Sequence, residues 1–284
     1  MKPSTAFLYG EQTRLYIKPA LGAVKLESLT TPTIQAFYNA LGRPRGDKPG
    51  LSPKTIKNIH GVLHKALQQA VGVGYLRFNP TGACTLPRIE RKEIVPLDDA
   101  QIAAFLMAIK GHRFEVLFTV DLFTGLREGE VLGLMWDCID FKSGTVRIDK
   151  QLRREQKKGG KFYLAPPKND KARTITPAPW VMALLKAHRA RQNEARLWVG
   201  EVWNDSCLVF TDELGSHLSY RTVYDSFKKV VSQIGIPSAR FHDLRHTYAV
   251  SSIRAGDDIR PFKATLATPP LPSLWMCMDM LPSK

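Results

Sequence analysis

The spacing of the apolar residues most constrains the fold, because it follows the period of an α-helix along most of the chain. The run that opens at Ser52-Pro53 shows this best, since a capping residue followed by proline is typical of a helix start. Thr31-Pro32 opens a similar run. The apolar positions of these two predicted helices are Ile34, Phe37, Tyr38, Leu41, Ile56, Ile59, Val62, Leu63 and Leu67. We therefore predict a helical region up to about residue 85.

A change of pattern separates this region from the rest of the chain. Leu86 to Lys92 carries proline, arginine and lysine without apolar periodicity, which indicates a linker. After it we predict helices that open at Leu97-Asp98-Asp99 and at Glu115, then short strands, then helices again. The predicted strands are Thr145–Ile148, Phe162–Leu164 and Arg173–Thr176, and the later helices span about residues 178–196 and 222–234. A predicted loop before the second strand holds Arg153, Arg154, Lys157, Lys158 and Lys161.

Basic residues recur along the whole chain. Lys and Arg number 41 against 26 Asp and Glu, which gives a net charge of +15 and a pI of about 9.8. Such a balance favours a protein that binds a polyanion, with DNA or RNA as the first candidate. A ribosomal or membrane-surface protein would share this charge. Because the sequence has neither a long apolar span nor an N-terminal signal peptide, we expect a cytoplasmic protein with no membrane partner.

The cysteines and histidines give no sign of a metal site. Cys84, Cys138, Cys207 and Cys277 are widely spaced and form no C-x-x-C pair, so neither a zinc site nor a disulfide framework is indicated. His60 and His64 stand four residues apart on a predicted helix. Without a third ligand in view, we interpret them as part of a helix surface.

Two short segments carry residues suited to bind a phosphate. In Phe241–His246, His242 and Arg245 stand three residues apart, so on a helix they face the same way. A guanidinium offers a planar fork to two phosphate oxygens, and an imidazole adds a donor or a proton. Upstream, a glycine turn brings Arg127 to the start of an apolar helix, where the N-terminus favours anions. Structural roles are the alternatives: a solvated helix face for the first pair, and an ion pair with Glu130 for Arg127.

Three segments occur in order: Thr124–Glu130 (TGLREGE), Lys168–Ile175 (KNDKARTI) and His242–Thr247 (HDLRHT). Their order and spacing on a basic chain closely resemble the tyrosine recombinases, the phage-integrase family of transposons, prophages and conjugative elements. The resemblance covers about residues 1–260, and Gly50–Ile56 is typical of the family's first domain. It implies a mainly α fold with a small antiparallel β-sheet. The domains would be a helical core-binding (SAM-like) DNA-binding domain at 1–87, a linker at 88–96 and a mixed α+β catalytic domain at 97–260.

The resemblance also implies roles for single residues. Arg127 would be the first catalytic arginine, Lys168 the β-hairpin lysine, His242 the next member and Arg245 the second arginine. Two fixed guanidinium groups would stabilise the charge on a phosphodiester under attack, while lysine and histidine move protons. The nucleophile of the family is a tyrosine that forms a 3′-phosphotyrosyl link, so no metal, nucleotide or other cofactor is expected.

The expected partner is double-stranded DNA at recombination sites, bound by a multimer of the chain. Because the contacts would be mostly to phosphates, binding should depend strongly on salt. The basic side chains that we expect to contact DNA are Arg43, Arg45, Lys54, Lys57, Arg91 and Lys92. A solvated surface is the alternative interpretation of these side chains.

The C-terminal end departs from the family. After Arg245 the family has a histidine or tryptophan and then the nucleophilic tyrosine, and this chain has neither. Tyr248 is the last tyrosine, and we interpret it as a packing residue on the same helix. Prolines within residues 261–284 exclude the helices expected there. We therefore predict that the chain binds DNA without cleaving it.

The genetic code offers a reason for this tail. Read one base earlier, Trp275–Met280 encodes Asp-Val-(Tyr or His)-Gly-(Tyr or His), which resembles the family's nucleophile segment. Our hypothesis is a frameshift near Arg260 that makes residues 261–284 aberrant; an unusual natural tail is the alternative, and sequencing the gene decides between them. The start is also short, since Met1–Thr5 begins inside the first expected helix. Two other functions stay open: a non-catalytic DNA-binding competitor or regulator, and an unstable remnant of an integrase.

Overall fold

A computed structural model of the chain describes residues 3–44, 46–90, 95–155, 159–167 and 171–254. The described residues form two compact units, one up to Glu90 and the other from Val95 onward. Within these residues no helix is both long and apolar enough to cross a membrane. Four predicted site residues and the predicted aberrant tail lie outside the described residues: Arg45, Arg91, Lys92, Lys168 and residues 261–284.

Unit one is helical in its described part. Its α-helices are α1 (Pro3–Gln12), α2 (Lys18–Leu21), α3 (Thr31–Gly42) and α4 (Pro53–Gly72), with short 3-10 turns at Leu26–Ser28 and Pro80–Ala83. A π-helical segment, Thr13–Ile17, joins α1 to α2. Pro19 explains this widening, because a proline has no N–H to donate and its ring crowds the carbonyl of Leu15, four residues earlier.

Hydroxyl caps fix where the two long helices of unit one begin. Ser52 accepts a hydrogen bond from the Thr55 backbone N–H at 3.2 Å, which confirms the predicted start of α4. In α3 the cap is Thr30, which accepts from Thr33 and stands one residue before the predicted cap at Thr31. The apolar faces of both helices are buried in one core, which contains Ile34, Phe37, Tyr38, Leu41, Ile56, Ile59, Leu63 and Leu67.

His60 and His64 are half-buried rather than exposed on an open helix surface. His60 Nδ1 lies 3.1 Å from the Tyr38 hydroxyl, and His64 Nδ1 lies 2.7 Å from Thr81 Oγ1. Asn79 donates to the His64 carbonyl at 3.0 Å. The two histidines therefore connect α4 to α3 and to the 3-10 turn that contains Thr81. Their role is structural.

Unit two surrounds two small sheets with helices. It begins with α5 (Asp99–Ala108), α6 (Glu115–Thr124) and α7 (Glu128–Leu132), and its later helices are α8 (Pro179–Val199), α9 (Tyr220–Gln233) and α10 (Phe241–Arg254). Between α7 and α8 lie β1 (Ile139–Asp140), β2 (Thr145–Ile148), β3 (Gln151–Arg154), β4 (Phe162–Ala165) and β5 (Arg173–Ile175). One antiparallel sheet has the order β1-β2-β5, and β3 pairs with β4 as an antiparallel hairpin. The predicted fold class, mainly α with small antiparallel β structure, is confirmed.

The predicted loop at Arg153 and Arg154 is wrong, because both residues lie in β3. In this hairpin Leu152 pairs with Leu164, and Arg154 pairs with Phe162. Leu152 is buried, and it sets the register of the hairpin. It is the single apolar residue of β3, so the sequence offers no alternation from which a strand could be predicted.

Phenylalanines hold the helices of unit two together. Phe105 of α5, Phe118 of α6, Phe227 of α9 and Phe241 of α10 are buried, with neighbouring ring centroids 5.5–6.0 Å apart. Tilted and edge-on ring pairs at this distance attract beyond the burial of their apolar area. Because Phe241 is the first residue of α10, the cluster fixes this helix against α6 directly before His242.

Candidate active site

A glycine turn places Arg127. Helix α6 ends at Thr124, and Gly125 follows at φ 58° and ψ 32°, a left-handed conformation that favours glycine. A Cβ at Gly125 would also lie 2.3 Å from the Tyr248 ring. Arg127 then adopts an extended conformation directly before α7. Since α7 has only five residues, we attribute no anion site to its N-terminus.

The buried carboxylate of Glu130 organises two arginines. Glu130 Oε1 accepts from Arg127 Nη1 at 2.8 Å and from Arg173 Nη1 at 3.0 Å. Glu130 Oε2 accepts from Arg173 Nη2 at 2.6 Å and from the Arg127 backbone N–H at 3.0 Å. The Glu130 side chain is 0% exposed, whereas those of Arg173 and Arg127 are 17% and 39% exposed. Arg173 thus turns inward, and Arg127 retains a surface toward solvent.

Arg127 forms an ion pair with Glu130. This pair is the structural role that the sequence analysis gave as the alternative for Arg127. Burial raises the pKa of Glu130, but hydrogen bonds from Arg173 and Arg127 outweigh it and bring the pKa to about 2. The carboxylate is therefore ionised at neutral pH. The pair occupies one terminal nitrogen of Arg127, and a guanidinium carries five N–H donors. The pair is thus compatible with a phosphate contact.

Arg245 approaches the same turn from helix α10. Its Nη1 donates to the Gly125 carbonyl. Burial lowers the pKa of Arg245, and the positive charges of Arg127 and Arg173 lower it further, while nearby carboxylates oppose this. The three guanidinium groups therefore lie within electrostatic reach of one another. Tyr248, on the helix of Arg245, packs its ring on Gly125.

His242 lies one turn before Arg245 and is exposed. Its ring stands edge-on to that of His246, with the centroids 4.8 Å apart. Partial desolvation, together with the charges of His246 and Arg245, lowers the pKa of His242. The neutral imidazole therefore predominates near pH 7 and is able to accept a proton.

A further carboxyl group, Asp121, lies near Arg245, and Glu128 lies near Asp121. Asp121 of α6 is 1% exposed, and burial together with the charge of Glu128 raises its pKa well above the ordinary value. Burial raises the pKa of Glu128 to about 7. Both groups therefore hold a proton more readily than a free carboxyl does, and at Asp121 this limits the negative charge near Arg245.

The sequence did not single out Arg173, and it treated Glu130 only as a structural partner. Strand β5 pairs with β2 so that Arg173 lies opposite Ile148, which is buried. Side chains on directly paired residues share a face of the sheet, so Arg173 points to the core side. The available signal was indirect: Glu130 directly precedes the apolar residues Val131 and Leu132, and a carboxylate in a core needs cationic partners.

Of the remaining predicted site residues, some are exposed and others lie outside the described residues. Arg43, Lys54 and Lys57 are exposed in unit one, at the end of α3 and in the first turns of α4. Lys168, predicted as the fourth member of the site, lies outside the described residues. Among the residues that the structure describes, no three His, Cys, Asp or Glu side chains are grouped to hold a metal ion.

Comparison with known proteins identifies the family. Residues 96–267 match the model of the phage integrase family. The chain belongs to this family. A tyrosine recombinase XerC-like protein of Caldanaerobacter subterraneus subsp. tengcongensis is 34% identical over 90% of this chain and 68% of its own length. An integrase of Saccharopolyspora erythraea is 25% identical over 84% of this chain and 66% of its own length. The chain therefore spans about two thirds of the length of these relatives.

Solved integrase structures share the fold. The Tn1549 transposon integrase in complex with a circular intermediate DNA has a TM-score of 0.76 at 21% identity, over 91% of this chain and 83% of that one. A lambda integrase tetramer bound to a Holliday junction has a TM-score of 0.62 at 19% identity, over 91% of this chain and 69% of that one. At these identities the likeness is one of fold.

Proposed function

We propose that this member of the phage integrase family binds double-stranded DNA at a recombination site and holds a phosphodiester between Arg127 and Arg245. The observation that carries the proposal is that Arg245 donates to the Gly125 carbonyl, two residues before Arg127, and that the charge of Arg127 lowers the pKa of Arg245. Like charges held together repel each other, and an anion between them relieves that repulsion. A phosphate oxygen on which charge develops is such an anion.

In this proposal each residue has one task at the phosphate. Arg127 and Arg245 stabilise the charge on the non-bridging oxygens, and removal of one such donor commonly lowers a rate about 10²- to 10³-fold. His242 assists proton transfer, and its neutral form near pH 7 suits that task. Lys168 protonates the leaving 5′ oxygen. Together with the tyrosine nucleophile of the family, these tasks would serve DNA strand exchange through a phosphotyrosyl link, as in site-specific integration and recombination.

The two units divide the work. Unit one acts as the core-binding domain and unit two as the catalytic domain, in a multimer on DNA in the cytoplasm. In support, solved proteins of this fold are integrases bound to DNA, one of them a tetramer on a Holliday junction. The proposed phosphate contacts of unit one and the linker are Arg43, Arg45, Lys54, Lys57, Arg91 and Lys92.

Cleavage is the step in which this chain should differ from its relatives. The family's reaction requires a tyrosine nucleophile, and the sequence has no tyrosine after Tyr248, whose ring packs on Gly125. We predict that the 284-residue chain binds the flanks of the genetic element that encodes it and forms no covalent adduct. The measurement is a gel shift with these flanks, followed by a nicked suicide substrate resolved on a denaturing gel.

The two results separate binding from chemistry. Preferential, salt-sensitive binding to the flanks without an adduct is the expected outcome, and an Arg127→Met, Arg245→Met double variant should bind more weakly. A trapped adduct would show that the chain has a nucleophile after all. Equal binding to unrelated duplex DNA would contradict site-specific recognition.

A further inference from the structure

Arg173 is a cation of the candidate site that is turned away from solvent. Both of its terminal nitrogens donate to Glu130, at 3.0 and 2.6 Å. Its Nε is buried and has no hydrogen-bond partner among the described atoms. The register of β5 against β2 fixes its backbone opposite buried Ile148. Arg173 is thus built to face a carboxylate, whereas the more exposed Arg127 is open to a ligand.

A charge count shows what this arrangement achieves. Arg127 beside ionised Glu130 would be a neutral pair, and its attraction for a phosphate would be largely cancelled. Arg173 adds a second positive charge to the same carboxylate. The three groups together then carry one net positive charge, and Arg245 adds another. A phosphodiester that gains negative charge during attack is therefore met by an excess of cations.

We propose that Arg173 is a positioning residue that acts as the counter-ion of Glu130 and so leaves the charge of Arg127 available to the scissile phosphate. The inference rests on the proposed function. Glu130 holds Arg127 in place through both its backbone N–H and its guanidinium. Arg173 prevents the carboxylate that positions Arg127 from also neutralising it.

Charge and geometry are separated by two substitutions of Arg173. Arg173→Met removes the charge and keeps a long side chain, whereas Arg173→Lys keeps the charge and loses the planar fork. Each is made in the wild-type chain and in an Arg127→Met background. Affinity for fluorescent duplex DNA of the element's flanks is measured by anisotropy over a range of salt concentrations, at a temperature where circular dichroism shows the variants folded.

Arg173→Met is expected to weaken binding about tenfold, as the loss of a charge-assisted phosphate contact would. The slope of the logarithm of the association constant K against the logarithm of the salt concentration should become shallower by about 0.9, which is the value for one phosphate contact. Arg173→Lys should lose no more than about threefold. In the Arg127→Met background, Arg173→Met should have no further effect, because Arg173 acts through Arg127.

A second pair of changes keeps the test decisive if Arg173→Met does not fold. In a Glu130→Gln background no carboxylate remains to neutralise Arg127, so adding Arg173→Met to Glu130→Gln should change the affinity by no more than about threefold. A tenfold loss on adding Arg173→Met to Glu130→Gln, or a tenfold loss in Arg173→Lys, would overturn the counter-ion role. So would an equal effect of Arg173→Met with and without Arg127. If the wild-type chain itself failed to bind DNA, the proposed function would fail instead.

Discussion

Glu128 and Glu130 stand two residues apart, and their pKa values are displaced in opposite directions. Burial raises the pKa of Glu128 to about 7. Burial acts on Glu130 in the same sense, but hydrogen bonds from Arg173 and Arg127 reverse it and bring that pKa to about 2. The arginines, rather than the degree of burial, therefore decide which carboxyl is ionised at neutral pH.

The sign of each shift gives a pH window for stability. The folded pKa of Glu130 lies below its ordinary 4.5, so its stabilisation is present above pH 4.5 and is lost as the pH falls toward 2. The folded pKa of Glu128 lies above its ordinary 4.5, so its contribution is most favourable below pH 4.5 and is lost as the pH rises to about 7. At pH 8 Glu128 therefore destabilises the fold.

Glu128→Gln is expected to raise the free energy of unfolding at pH 8 by about 1–3 kcal/mol, because a neutral amide avoids burying a charge. The gain should shrink as the pH is lowered from 7 to 4.5, where wild-type Glu128 takes up its proton. Urea denaturation of both chains at several pH values measures this difference, in which the titration of groups that do not interact with Glu128 cancels. A gain that is constant with pH would show that Glu128 titrates normally.

At the level of single elements, the sequence predicted those whose signals are local. From the hydroxyl caps and the helical spacing of the apolar residues, the starts of α3 and α4 could be predicted to within one residue. Strand β3 carries one apolar residue, and its position depends on pairing with β4, which lies beyond a loop. The same reason hid Arg173, whose inward direction comes from its partner strand β2. Strand β3 and the direction of Arg173 could not be predicted, because both depend on contacts between distant parts of the chain.

Two glycines, one directly after α7 and one inside α4, should respond in opposite ways to the same substitution. A Cβ at Gly133, which follows α7, would lie 2.4 Å from the backbone nitrogen of Leu152 in β3, so Gly133→Ala requires the strand to shift. We expect a loss of about 1–3 kcal/mol in the free energy of unfolding. Gly61, inside α4, has nothing within 4 Å of its Cβ position. Gly61→Ala should therefore add about 0.5–1 kcal/mol.

Thermal and urea unfolding of the two alanine variants, followed by circular dichroism, measures both effects. Because the sites lie in different units, each variant serves as a control for the other. A Gly133→Ala chain as stable as wild type would mean that α7 is not held against β3 as the structure has it. Arg127 directly precedes α7, so we expect DNA affinity to fall together with stability in Gly133→Ala alone.

For the whole molecule, composition predicted the kind of partner but not the contacts. A net charge of +15 favours a polyanion, yet any two lysines contribute equally to it. The candidate site depends on a finer balance, in which one buried carboxylate is shared by two arginines. Neither the total nor the local spacing reveals that balance, because Glu130 and Arg173 are separated by four strands and their loops.

Salt dependence distinguishes a phosphate contact from general charge. Lys54 and Lys57 are exposed on the first turns of α4 and are predicted to contact DNA, whereas Lys18 and Lys25 are exposed in the same unit without such a prediction. Lys54→Gln, Lys57→Gln should make the slope of log K against log salt shallower by about 1.8, the value for two phosphates. Lys18→Gln, Lys25→Gln removes the same charge and should leave the slope nearly unchanged. If both double variants changed the slope equally, α4 would have no specific role in DNA binding, and only the net charge would matter.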